Sequence, residues 1–236
     1  QGFSYAAFND LESVSSLIDE TTCAIIVEPI QGEGGIVPAT KEFLQGLRAL
    51  CDQHNLLLIY DEVQCGMGRS GKPFAYQAYE VQPDVLTTAK ALAGGVPAGA
   101  MLTVGKANRV FEPADHASTF GGNALAMAGV NEMTRRLSDP AFLAHVEEMG
   151  AYLRTELEKL VIAFPTLCTS VRGMGLINGL VLTVSPRTVV DACFAQGLLV
   201  ASAGYDVLRF VPPLVVQKQD IDLALEIVKK ALASLL

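Results

Sequence analysis

The feature that most constrains this chain is a change of texture and a return to it. TCAIIVEPI (22–30) is a short unbroken apolar run, followed by the Gly-rich turn QGEGG and then by ATKEFLQGLRALCDQHN. In that last segment Phe43, Leu44, Leu47 and Leu50 recur at three- and four-residue steps, which places them on one helical face. LLLIYDEV then returns to the apolar run. Parallel strands are covered on both faces and read as continuous apolar stretches, so strand, helix and strand within about forty residues predict a βαβ unit. PDVLTTAKAL (83–92) and PAGAMLTVG (97–105), separated by Gly94-Gly95, extend it into a sheet of mixed direction.

Two helices are predicted next. Asn123 opens Ala124–Leu137, and Asp139 opens Pro140–Leu160, in which Phe142, Val146, Met149, Leu153 and Leu157 share a face. After Pro165 come SVRGMGLINGLVLTV, GLLVASAG and VLRFVPPLVV, short strands with turn signals, closed by a helix from about Gln219 to Leu236. This pattern predicts an α/β large-domain portion over 1–132 and a smaller α+β domain over 133–236.

A chain of 236 residues at 50% hydrophobic content can bury a sizeable core. Its net charge of -8 argues against a nucleic-acid or anionic-membrane partner, because both require a basic face. No apolar stretch reaches the ~20 residues of a membrane helix. Five scattered cysteines without a C-x-x-C suit reduced thiols in a cytoplasmic protein, and three histidines without ligand spacing give no metal site. The chain opens at Gln1 with neither an initiator Met nor a signal-peptide core, and is expected to be a piece of a longer protein.

Ligands of open α/β sheets bind beyond the carboxyl ends of the strands. Glu28, Asp61 and Lys90 stand at three such ends. A lysine in the apolar setting TTAKAL is costly to bury unless it is paired or converted, and condensation with an aldehyde is one such conversion. That chemistry points to pyridoxal phosphate, which needs a lysine at its aldehyde carbon and an acid at its ring nitrogen. Asp61 is expected to be the acid. Alternation sets Val63 on the same side, against the ring face, and turns Glu62 away, while Gln64 can reach the ring hydroxyl. GMGRSG (66–71) satisfies G-x-G-x-x-G, but Pro73 and aromatics follow it where a dinucleotide fold requires a helix, so it is read as a turn.

VEPIQGEGG, DEVQCGMGRSG, LTTAKALAGGVPAGAML, HASTFGGNALA, VRGMGL and LRFVPPLVV, in this order along nearly the whole chain, resemble the class III pyridoxal-phosphate aminotransferases, and among them the acetylornithine and succinylornithine enzymes. The resemblance covers the C-terminal part of a usual member. It implies the aspartate-aminotransferase-like fold (fold type I), with the later part of the large domain followed by the small domain.

It also implies roles. Lys90 bonds the cofactor and shuttles the proton, and Asp61, Val63 and Gln64 hold the ring. Thr119 binds the phosphate across a homodimer interface, with Ser118 against the substrate. Arg209 clamps a substrate carboxylate, and Glu33 screens Arg209 in one half-reaction and frees it in the other. The implied activity transfers the δ-amino group of an N-acylated ornithine to 2-oxoglutarate in arginine metabolism. The competing readings are a related enzyme for ornithine or 4-aminobutyrate, a dinucleotide-binding dehydrogenase, and a fragment that binds no cofactor.

Overall fold

The computed structural model describes residues 2–236. The chain divides into two compact units. The first takes the chain up to Pro29, Ala39–Met67 and Phe74–Ser138; the second takes Ile30–Pro38, Gly68–Pro73 and Asp139–Leu236. The changeover at Ser138/Asp139 follows the helix in which the sequence set it, and two short excursions, 30–38 and 68–73, count with the second unit.

In chain order the elements are α1 (Leu11–Ser15), β1 (Ala24–Val27), β2 (Ile30–Gln31), β3 (Val37–Pro38), α2 (Lys41–Gln53), β4 (Leu57–Asp61), α3 (Tyr76–Tyr79), β5 (Val85–Thr88), β6 (Ala100–Thr103), α4 (Ala124–Leu137) and α5 (Pro140–Ala163). They continue as β7 (Cys168–Met174), β8 (Ile177–Leu182), α6 (Pro186–Phe194), β9 (Ala201–Ala203), β10 (Val207–Phe210) and α7 (Lys218–Ala233).

In the first unit the sheet runs β1-β4-β5-β6. The pairs β1/β4 and β4/β5 are parallel, and β6 returns antiparallel on β5. Thr40 caps α2 by accepting from Phe43 N at 3.1 Å, and α2 buries Phe43, Leu44, Leu47 and Cys51. The Asp84 carboxylate accepts from Leu58 N (2.8 Å) and pairs with Arg48 (2.8 Å), locking the entry of β5 to β4. One expectation needs correcting. β4 is buried on one face only: Leu58 and Tyr60 are fully enclosed, whereas Leu57, Ile59 and Asp61 are half-buried. An unbroken apolar run therefore overstates the cover on this strand.

The second unit is a four-stranded sheet in the order β7-β8-β10-β9, antiparallel throughout, with α5, α6 and α7. Its core joins Val146, Leu153 and Leu157 of α5, Leu180 of β8, Leu208 of β10 and Val228 and Leu232 of α7. Asn123 and Asp139 cap α4 and α5, accepting from Ala126 N and Ala141 N at 2.9 Å each. The helix α6 was not anticipated. Its signal was Ser185 followed by Pro186 at the first helical position, where the missing proline N–H costs nothing.

Candidate active site

Asp61 closes β4 and pairs in register with Thr87 on β5. Its Oδ1 accepts from Val63 N at 2.9 Å, which turns the chain sharply as it leaves the strand. Val63 and Gln64 are both half-buried on that turn. Glu62 points the other way and is fully enclosed, with Tyr60 and Thr88 on the same face. The two neighbouring carboxylates are thus separated by alternation into an accessible and a buried one.

Lys90 follows β5 by two residues and opens the 3-10 turn Lys90–Ala93. Its φ of 48° is left-handed, a conformation that costs a non-glycine residue about 1 kcal/mol or more and clusters at functional sites. That turn takes the side chain out of the strand's alternation. Lys90 is exposed in this chain, not enclosed as its apolar neighbours suggested. Helix α4 backs the turn at close range, because Gly129 has no Cβ: one would stand 2.6 Å from the Ala93 carbonyl oxygen.

Glu62 holds the ends of β4 and β5 together. Its amide donates to Thr87 O (2.9 Å), and its carboxylate accepts from Tyr76 N (2.8 Å) and Ala75 N at the start of α3. Burial pushes this carboxyl up to about 7, opposed only in part by the two backbone N–H groups. The folded chain therefore binds more protons than the unfolded one between the ordinary value of 4.5 and about 7. Stability falls as pH rises through that window, by about 3 kcal/mol for complete ionisation. Urea unfolding at pH 5 and pH 8 should show this loss in the wild type and its absence in Glu62→Gln; equal pH dependence in the two would contradict the assignment.

In the second unit Glu33 lies in the turn between β2 and β3, where its backbone carbonyl accepts from Gly204 N at 2.7 Å. Its carboxylate pairs with Nη1 of Arg209 on β10. The partners differ in accessibility, the Arg209 side chain being 14% exposed and that of Glu33 73%. Arg209 is thus set by the sheet, held in register with Gly179 and Ala201, while Glu33 reaches it from solvent. Ser118 and Thr119 lie in an exposed stretch, 111–125, outside any strand. The structure thus brings together Asp61, Val63 and Gln64 on one turn with Lys90 at the adjoining strand's end, and separately Glu33 with Arg209; it leaves Ser118 and Thr119 on the surface.

Arg69, in GMGRSG, was missed as more than part of a turn. Its Nη1 donates to Leu176 O (3.2 Å) and to Pro212 O, and its own carbonyl accepts from Leu176 N (2.9 Å). A lone arginine among glycines carries no mark of such distant backbone acceptors.

A carboxylate and a lysine at neighbouring ends of parallel strands, with the branched side chain of Val63 two residues past the acid, form the donor set that a pyridinium aldehyde requires. The left-handed backbone at Lys90 is the strained feature expected at such a point. These residue types suit pyridoxal phosphate, which Lys90 would meet at the aldehyde carbon and Asp61 at the ring nitrogen.

A sheet of this topology has the architecture of fold type I, the fold of pyridoxal-phosphate proteins. Residues 3–232 match the family model "Aminotransferase class-III", and the chain belongs to that family. Enzymes of the family depend on pyridoxal phosphate. The chain is 45% identical to the acetylornithine aminotransferase of Thermosynechococcus vestitus, covering 99% of this chain and 59% of that protein. It is 46% identical to the succinylornithine transaminase of Yersinia pseudotuberculosis, covering 93% and 54%. The crystal structure of N-acetylornithine aminotransferase from Stenotrophomonas maltophilia superposes with a TM-score of 0.89 at 38% identity, over 99% of this chain and 62% of that one. The chain thus spans little more than half the length of the curated relatives it matches.

Proposed function

We propose that this chain carries the lysine, the ring-holding residues and the carboxylate clamp of a homodimeric, cytoplasmic aminotransferase of arginine metabolism. It transfers the δ-amino group of N-acetylornithine or N-succinylornithine to 2-oxoglutarate. The observation that carries this reading is the unequal Glu33–Arg209 pair. A largely exposed carboxylate holds its partner weakly, by about 1 kcal/mol or less, whereas a substrate carboxylate can engage the guanidinium with two parallel hydrogen bonds. Glu33 can therefore leave when a dicarboxylate arrives, and cover the cation when the apolar stem of an acylated ornithine is bound. The names of the relatives support the same substrates.

When bound, pyridoxal phosphate supplies an electron sink for the carbon that loses its proton. Lys90 acts as the base that takes this proton and returns it. When the cofactor is bound, Asp61 would hold the ring nitrogen, Val63 would pack on the ring face, and Gln64 would meet the ring oxygen. Thr119 holds the phosphate of the second subunit, with Ser118 against its substrate. The exposure of this stretch, with Phe120 at 83% and Leu125 at 71%, supports an interface there.

Turnover with 2-oxoglutarate and each of acetylornithine, succinylornithine, ornithine and 4-aminobutyrate tests the assignment. The acylated donors should exceed ornithine by about tenfold or more in kcat/KM, a modest specificity difference of about 1.4 kcal/mol. Glu33→Ala should lower efficiency with the acylated donor relative to glutamate by a similar factor. An unchanged ratio would remove Glu33 from the mechanism, and a monomer by light scattering would remove Thr119 from the phosphate site.

A further inference from the structure

The GMGRSG segment satisfies a phosphate-binding pattern without being one, and its arginine has no part in the reaction as described so far. Residues 68–73 belong to the second unit, and their contacts there show what they do. Arg69 reaches the carbonyls of Leu176, after the β7 strand, and of Pro212, after β10. Packing around it is tight. Gly175 has a left-handed φ of 53°, and a Cβ there would stand 2.6 Å from the Arg69 carbonyl oxygen. Among the described residues no carboxylate offsets the burial of Arg69, and that burial pushes its guanidinium down to about 10. Arg69 is half-buried and spends part of its hydration on two fixed hydrogen bonds to neutral carbonyls.

Pro212 is the informative acceptor. Two prolines in succession have no N–H, so the turn that carries β10 onward has no amide donor at 212 or 213. Val216 N donates to Pro213 O (3.0 Å) within it, and it is also held from outside at both ends. Arg69 binds the Pro212 carbonyl, and His145 Nε2 lies 2.9 Å from Val216 O. Arg209 opens this same stretch, and Arg209, Phe210, Pro212 and Pro213 together line a cavity of about 480 Å³. Arg69 therefore fixes the backbone just past the strand end that carries Arg209.

We infer that Arg69 is a positioning residue for the dicarboxylate half-reaction: through the Pro212 carbonyl it fixes the chain just past Arg209, and so the geometry in which Arg209 receives a substrate carboxylate. This rests on the function proposed above. Its consequence is selective. The dicarboxylate needs Arg209 in a two-point arrangement, whereas the acylated ornithine is turned over with Arg209 covered by Glu33.

The test uses the full chain loaded with pyridoxal phosphate, as wild type, Arg69→Met and Arg69→Lys. KM and kcat are measured separately for 2-oxoglutarate and acetylornithine, together with calorimetric titration of glutarate, a dicarboxylate that cannot react, and thermal unfolding. Arg69→Met should raise KM for 2-oxoglutarate and Kd for glutarate about tenfold, the loss of one well-placed contact, with KM for acetylornithine changed by less than about twofold. Arg69→Lys keeps a donor and should fall between; it also carries the test if the methionine variant fails to fold. A drop in thermal midpoint with both KM values unchanged, or raised equally, would overturn the inference and leave Arg69 as scaffold. A wild type that neither turns over 2-oxoglutarate nor binds glutarate would overturn the functional assignment first, and the inference with it.

Discussion

Lys90→Ala is expected to lower turnover by at least about 10³-fold, because the side chain is proposed to supply both the bond to the cofactor and the proton transfer. The fold should survive the change. Lys90 is exposed, and alanine meets the same cost as lysine at a φ of 48°. Steady-state turnover, with circular dichroism to verify the fold, reads the effect. Lys90→Arg keeps the charge but cannot condense with an aldehyde at neutral pH, and should be equally inactive. Turnover within tenfold of wild type in either variant would move the chemistry to another residue.

Asp61→Asn should cost about 10²-fold in turnover, the loss of a charge-assisted partner worth about 3 kcal/mol, and should also weaken retention of the cofactor on dialysis. The substitution is discriminating because asparagine still offers Oδ1 to Val63 N, so the turn after β4 is kept and only the charge is removed. Glu62→Gln, one residue on, serves as the contrast: it should alter the pH dependence of stability and leave turnover nearly intact. If the two variants behaved alike, the division of these neighbouring carboxylates into a cofactor partner and a structural clamp would be wrong.

The opposite facing of Asp61 and Glu62 was legible in the sequence because a strand has a period of two, and the burial of Leu58, Tyr60 and Glu62 against the half-exposed Leu57, Ile59 and Asp61 follows the same parity. Helix α2 was legible for a similar reason, since Phe43, Leu44 and Leu47 share one face whatever they pack against. The caps at Asn123 and Asp139 act within two or three residues of themselves, so their effect is written locally.

What escaped depends on distant partners. Arg69 sits among glycines that read as a turn, yet its acceptors lie 107 and 143 residues away and are backbone carbonyls that any residue could offer. Glu33 and Arg209, 176 residues apart, were linked only through the family resemblance, and no spacing argument could have paired them. Lys90 was read as enclosed because its neighbours are apolar; neither its exposure nor its left-handed backbone has a signature in TTAKAL. The allotment of 30–38 and 68–73 to the second unit likewise depends on contacts made after the chain has left β1 and β4.

The central claim is that Lys90 is the residue that bonds pyridoxal phosphate. Borohydride reduction of the full chain incubated with the cofactor, followed by proteolysis and mass mapping, tests it directly. The account predicts a single pyridoxyl adduct, on the peptide containing Lys90, which disappears in Lys90→Ala. An adduct on any other lysine, or none on a folded chain, would contradict it.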